Sequence, residues 1–167
     1  MDNNSDVDSR VVRVLVLLTL PNMQGEWDEL KGMVFPELRR FCEERGVEFI
    51  EQDPPWEAAK SQMAQGEIYS HYMEMINQHR PYCIVLLGED YAWTPVKLEY
   101  IFPDDEAQGR SLFDRLITDG ILNNSHMAER SFFYFRHPAY ATREDSGLVD
   151  ENHRAQQLDL LKGRIRS

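Results

Sequence analysis

Arg80-Pro81-Tyr82-Cys83-Ile84-Val85-Leu86-Leu87-Gly88-Glu89-Asp90-Tyr91-Ala92-Trp93-Thr94-Pro95 contains a continuous apolar run, Tyr82 to Leu87, closed by Gly88 and followed by acidic and aromatic residues. The run is too short for an ordinary helix and reads as a strand buried on both faces. Such a strand belongs to a parallel sheet with helices on each side, where sites form at the carboxyl ends of the strands. The loop Gly88 to Pro95 is therefore the first place to look for function.

Outward from this strand the same grammar repeats. Val11 to Leu20 is a second Val- and Leu-rich run, stopped by Pro21-Asn22, and predicts the first strand. Between Gly25 and Arg45, Leu30, Val34, Leu38 and Phe41 recur every three or four positions and predict one buried helical face, with Pro36 as a kink. Val47 to Ile50 predicts a short second strand. Pro54-Pro55-Trp56 interrupts it, and a helix follows to Gln78 with Ile68, Tyr72, Met75 and Ile76 on its apolar face. After the Tyr82 strand, Val96 to Gly109 reads as a surface insertion. Ser111 to Leu122 reads as a helix capped by Ser111, Ser131 to Arg136 as a fourth strand, and Glu151 to Ile165 as a last helix with Leu158, Leu161 and Ile165 inward. Alternating strands and helices predict right-handed crossovers in a parallel α/β sheet.

Composition narrows the functional classes. A chain of 167 residues suffices for one domain, expected over residues 11–167 behind a disordered polar leader at 1–10. A net charge of −11 argues against a nucleic-acid backbone as partner, since neutralising phosphates needs a basic stripe. No apolar run is long enough to cross a bilayer, so no membrane partner is expected. Cys42 and Cys83 have neither metal spacing nor a disulfide framework and read as small core residues of a reducing, cytoplasmic protein. His71, His79, His126, His137 and His153 form no ligand pair, so no metal is expected. Glycine-rich phosphate loops and Gly-x-Ser-x-Gly elbows are absent, which leaves P-loop and acyl-transfer chemistry without support.

Several motifs taken together resemble a known family. They are Met23-Gln24 with Glu26, Val34 to Arg39, Cys42 to Val47, Gly66-Glu67, Arg80-Pro81-Tyr82, Leu86 to Glu89, Tyr91, Trp93, Pro95 and Phe132 to Arg136. In one register from Arg13 to Arg166 the chain resembles a TIR-like domain-of-unknown-function family. That family stands N-terminal to NACHT modules and to TPR or WD repeats in nephrocystin-type and telomerase-associated proteins. The resemblance implies a flavodoxin-like sheet of order 2-1-3-4-5. It also implies either self-association and partner recruitment or hydrolysis of NAD by a Glu on the helix after the third strand.

Departures from the family pattern fall at the pocket. The first strand runs into Leu17-Leu18-Thr19-Leu20-Pro21-Asn22-Met23, where the family has Ser-Ser-Thr-Phe-Arg-Asp-Met; Asp53-Pro54-Pro55-Trp56-Glu57 stands for Asp-Leu-Arg-Trp-Gly. The helix Ser111-Leu112-Phe113-Asp114-Arg115-Leu116-Ile117 puts Leu116 where the resemblance implies the catalytic Glu. The surviving acids are Asp114, close to that position, and Glu67, with Glu74 two turns on along the same helix; paired acids on an amphipathic helix are more often a solvated face. Thr19, Asp53, Trp56, Gly88 and Ser111 are the cofactor-contact candidates, and Glu89, Tyr91, Trp93, Tyr100 and Phe102 the interaction candidates. The resulting expectation is a non-catalytic assembly module of a NACHT- or repeat-containing protein, with protein partners or self-association and no cofactor. Two alternatives stand beside it: an NAD or nucleotide hydrolase using Asp114 or Glu67, and a nucleotide-binding switch without turnover. The family continues beyond the Leu161 to Ile165 segment into a further strand and helix. This chain therefore reads as part of a longer protein or as a fold without its last strand, with the fourth strand at the sheet edge.

Overall fold

A computed structural model describes residues 10–18, 23–52, 54–55, 65–88, 111–137 and 151–167, with backbone alone at 65–66 and 151–154. Thr19, Asp53, Trp56, Glu89, Tyr91, Trp93, Tyr100 and Phe102 lie outside the described residues. Four strands, β1 (Val11–Leu18), β2 (Glu48–Glu51), β3 (Tyr82–Leu87) and β4 (Ser131–Phe135), form one sheet of order β2-β1-β3-β4. Every pairing is parallel: Val11 faces Glu48, Val14 faces Tyr82 and Cys83 faces Ser131. This is the parallel α/β sheet that the alternation of runs predicts, in the flavodoxin-like order that the resemblance implies, with β4 at one edge among the described residues. No described helix is long and apolar enough to cross a membrane.

The two faces of the sheet are covered differently. Leu15 and Leu17 of β1 and Cys83, Val85 and Leu87 of β3 point into one cluster. It is sealed by α3 (Gln65–His79), α4 (Leu112–Ile117), the short α5 (Ser125–Ala128) and α6 (Glu151–Arg166). The predicted faces of α3, Ile68, Tyr72, Met75 and Ile76, and of α6, Leu158, Leu161 and Ile165, all pack here. On the opposite face Val14, Val16 and Leu18 meet α1 (Gln24–Glu29) and α2 (Phe35–Glu43) through Met23, Trp27, Phe35 and Phe49. That layer stops short of β4. Tyr82, Phe132 and Tyr134 are exposed, while Ile84 and Leu86 pack partly buried against this second cluster, so among the described residues β3 is covered fully on one face and partly on the other.

The first helix departs from its predicted face for a local reason. Pro36 has no N–H to give the carbonyl four residues back, and its ring crowds that carbonyl. The preceding turn, Leu30–Val34, widens into a π turn in which the Phe35 N–H donates to the Leu30 carbonyl. One additional residue in the turn rotates everything downstream by about 100°. The inward sequence becomes Trp27, Leu30, Phe35 and Cys42 rather than Leu30, Val34, Leu38 and Phe41. Phe35 is wedged between Trp27, with ring centroids 6.2 Å apart, and Phe49, 5.8 Å away. Val34, Leu38 and Phe41 turn to solvent.

The shift predicts opposite outcomes for two phenylalanines six residues apart. Phe35→Ala should cost about 3–5 kcal/mol by leaving a cavity. Phe41→Ala, which loses only surface contacts and the Arg45 guanidinium stacked over its ring, should cost under about 1 kcal/mol. Urea unfolding of both variants measures the difference, and equal costs would contradict the register.

Candidate functional site

At the carboxyl end of the sheet, β3 runs into the buried Gly88, and β4 ends where the Arg136 N–H donates to the Leu87 carbonyl at 2.8 Å. From there the Arg136 side chain reaches α1: its Nε donates to Glu26 Oε1 at 2.7 Å, and its Nη2 donates to the same oxygen. The helix after β1 is thereby tied to the end of β4 by residues 110 apart in sequence. Burial by itself would raise the Glu26 carboxyl. The hydrogen bonds from Arg136 and from the residue's own backbone, with the guanidinium charge, outweigh it and hold the pKa below its ordinary 4.5.

α4 begins at the same end of the sheet. Ser111 is fully buried, and its Oγ accepts from the Asp114 N–H at 3.0 Å, the N-cap that its position predicts. The candidate Ser111 hydroxyl thus serves the helix start. Asp114, also with no exposed surface, accepts from Arg164 Nη2 at 2.9 Å on Oδ1 and 3.1 Å on Oδ2, and from the Thr118 hydroxyl at 3.0 Å. Arg164 Nη1 donates to Thr118 Oγ1 at 3.0 Å, closing a three-residue network between α4 and α6. Leu116 lies in the apolar cluster beneath. Glu67 is exposed on α3, whose inward face is Ile68, Tyr72, Met75 and Ile76, so the two acid candidates are not brought together as a buried pair.

A second network joins α3 to the π turn that continues α4, Thr118–Leu122. The Tyr69 hydroxyl donates to Asp119 Oδ2 at 2.7 Å, and Arg115 Nη1 lies 3.6 Å from the same oxygen. Burial, followed by the hydrogen bond to Asp119 and its charge, pushes the Tyr69 phenol up to about 12, so it is a neutral donor at physiological pH. The same turn brings Gly120 so near α3 that a Cβ would stand 2.9 Å from Ile76 Cδ1. Cys83, in the centre of the sheet, is raised by burial to about 12 against a smaller lowering by the Ser131 hydrogen bond, which makes it a poor nucleophile. Among the described residues no group of His, Cys, Asp and Glu is placed to hold a metal ion.

Glu26, Arg136, Thr118 and Arg164 carry most of this geometry, and none was a site candidate from sequence. Glu26 and Arg136 occur only among the motifs of the resemblance. Their pairing links the helix after β1 to the end of β4, and no local spacing announces it. Chemically, the described groups bind one another: each buried carboxylate is met by a guanidinium, and the hydroxyls cap or bridge.

Two consequences are measurable. Arg164→Met leaves the buried Asp114 without its cation and should cost about 3 kcal/mol in urea unfolding, with Arg164→Lys intermediate. For Glu26, the folded pKa lies below the unfolded one. Its contribution is therefore complete above the ordinary carboxylate value and lost as pH falls through the lowered folded value. The gap in urea midpoint between the wild type and Glu26→Gln should be constant near neutrality and shrink on the acid side. A gap that grows with acidification would contradict the pairing.

No family model matches the chain. No solved structure matches it. The chain is similar to a TPR repeat-containing protein of Dictyostelium discoideum, 24% identical over 183 residues, an alignment that covers 96% of this chain and 11% of that protein. The chain thus spans about a tenth of the length of this curated relative.

Proposed function

We propose that the domain is a non-catalytic, TIR-like association module that works within or alongside a larger repeat-containing assembly. The observation that carries this reading is the state of Asp114. The one acid near the position where a hydrolase would keep its catalytic Glu is fully buried, and both its oxygens accept from Arg164. A general acid or base must reach a proton on substrate, and a fully buried carboxylate whose two oxygens accept from a guanidinium nitrogen has its charge matched within the protein. The TPR repeat-containing relative, of which the aligned part is a small fraction, supports a module in a larger chain. Edge strand β4 supplies a surface for contact. Phe132 and Tyr134 project from it, Tyr134 56% exposed, beside the partly open Ile84 and Leu86. Aromatic side chains on an exposed strand edge are the pattern of an added strand or a docked domain.

Purified protein incubated with NAD should release no nicotinamide above the no-enzyme control by chromatography, and Asp114→Asn should leave that result unchanged. Tyr134→Asp should weaken association with the partner assembly in a pull-down while far-ultraviolet circular dichroism stays the same. Sustained nicotinamide release abolished by Asp114→Asn would replace this reading with the hydrolase.

A further inference from the structure

The main chain of β4 alternates between its neighbour and the sheet edge. The Cys83 N–H donates to the Arg130 carbonyl and the Arg136 N–H to the Leu87 carbonyl, each at 2.8 Å, so the even-numbered residues of this segment bond to β3. The N–H and C=O groups of Ser131, Phe133 and Phe135 therefore point outward, where no described strand meets them.

An arginine stands at each end of this edge. At the amino end the Arg130 guanidinium lies 5.1 Å from the Tyr82 ring centroid, and its Nη1 donates to the Arg80 carbonyl at 3.0 Å. At the carboxyl end the Arg166 guanidinium of α6 lies 4.7 Å from the Phe135 ring centroid. Both arginines are exposed, and among the described residues no carboxylate pairs with either, whereas the nearby Arg136 and Arg164 are paired with Glu26 and Asp114. Exposed Arg80 and Arg130 together outweigh the neighbouring Glu129, so the amino end is cationic although the chain as a whole carries −11. Stacking occupies the face of a guanidinium and leaves its in-plane N–H groups for a carboxylate.

The placement of the two cations restricts the occupant. Tyr82 is in phase with Ile84 and Leu86, on the partly covered face, and Phe135 packs against the closed cluster, so the guanidiniums sit on opposite faces of the sheet. Along the strand Arg130 and Phe135 are five residues apart, about 16 Å at the rise of a strand. A helix laid on the open face meets only one of the two. An added strand meets both, because its side chains alternate and two acids five positions apart point to opposite faces. We infer that the β4 edge binds an extended acidic segment of a partner protein as an added strand, its carboxylates meeting Arg130 and Arg166 and its apolar side chains lying beside Phe132 and Tyr134. The inference rests on the association reading above and gives its β4 surface a partner chemistry.

Fluorescence anisotropy of the full chain with labelled hexapeptides tests it. The probes are Glu-Thr-Val-Thr-Val-Glu and Glu-Val-Thr-Val-Thr-Glu, which place the valines beside Phe132 and Tyr134 in a parallel and an antiparallel strand respectively. At least one should bind. Arg130→Glu and Arg166→Glu should each weaken that binding by about tenfold, and Tyr134→Asp should weaken it as well. The Arg130→Glu/Arg166→Glu double variant should prefer the same peptide with lysine at both ends. Methylating alternate backbone amides of the peptide should abolish binding in one phase and spare it in the other, as strand pairing requires. Circular dichroism and urea midpoints establish that each variant is folded; if Arg130→Glu unfolds, Arg166→Glu and the peptide series decide. Binding of neither probe, equal binding of the lysine-ended form by the wild type, or indifference to both arginines or to the methylation phase would overturn the inference. If Tyr134→Asp still weakens the pull-down in that case, the association reading stands and only its partner chemistry is lost.

Discussion

The missing N–H of Pro36 is the constraint from which the layer on one side of the sheet follows. An uninterrupted α-helix from Gln24 onward would present Leu30, Val34, Leu38 and Phe41 to β1 and β2. The widened turn instead delivers Phe35 into the gap between Trp27 and Phe49. It also turns Arg39 so that its guanidinium lies 5.6 Å from the Phe49 ring centroid and its Nη2 donates to Glu51 at 3.2 Å. A stretch of aliphatic side chains is exchanged for one large aromatic contact. The aromatic trio buries more area per residue, and its edge-to-face and tilted geometry adds to that burial. The displaced aliphatics remain on the surface, so one backbone event accounts for both the packing of this layer and its apolar exterior.

The other side of the sheet is governed by charge. Arg164, near the carboxyl end of α6, holds that helix to α4 through Asp114 and Thr118. A buried aspartate is costly unless it is paired and hydrogen-bonded; here the threonine hydroxyl and the Arg164 guanidinium make its burial tolerable. Such a network fixes where the helix docks more sharply than apolar contacts do, because Leu158 and Leu161 could slide along the cluster while a guanidinium that bonds Asp114 through Nη2 and Thr118 through Nη1 is held to one register. Tyr69, Asp119 and Arg115 repeat the device between α3 and the turn after α4.

Much of the fold was legible in the sequence because runs and periods are local. Tyr82 to Leu87 is the observed strand, and the inward faces of α3 and α6 follow a 3.6-residue repeat with no irregularity to disturb it. The first helix was misread where a one-residue insertion in the hydrogen-bond ladder broke the repeat. Pro36 marked the place but not the direction of the rotation. β3 packs on both faces as expected, but less completely at Ile84 and Leu86, because coverage there depends on what the neighbouring layer supplies, which no property of the strand encodes. At the candidate site, Ser111 was visible as a cap because capping is local. The roles of Asp114, Glu26 and Arg136 depend on partners 50 and 110 residues away, and a single sequence contains no record of those distances.

The two layers differ in a way that bears on function. On the closed side the described polar groups are turned inward onto one another, and the apolar faces of α3, α4 and α6 are fully used. On the other side the helix layer covers β1 and β2 and leaves Phe132 and Tyr134 in the open, while the helix itself exposes Met33 and Phe41. A catalytic domain concentrates its unmet chemistry in polar groups that converge on a cleft. Among the described residues the exposed apolar side chains lie on the first helical segment and on β4, and the free energy available there is that of removing hydrocarbon from water. That term is released by contact with another surface, which supports the association proposed above.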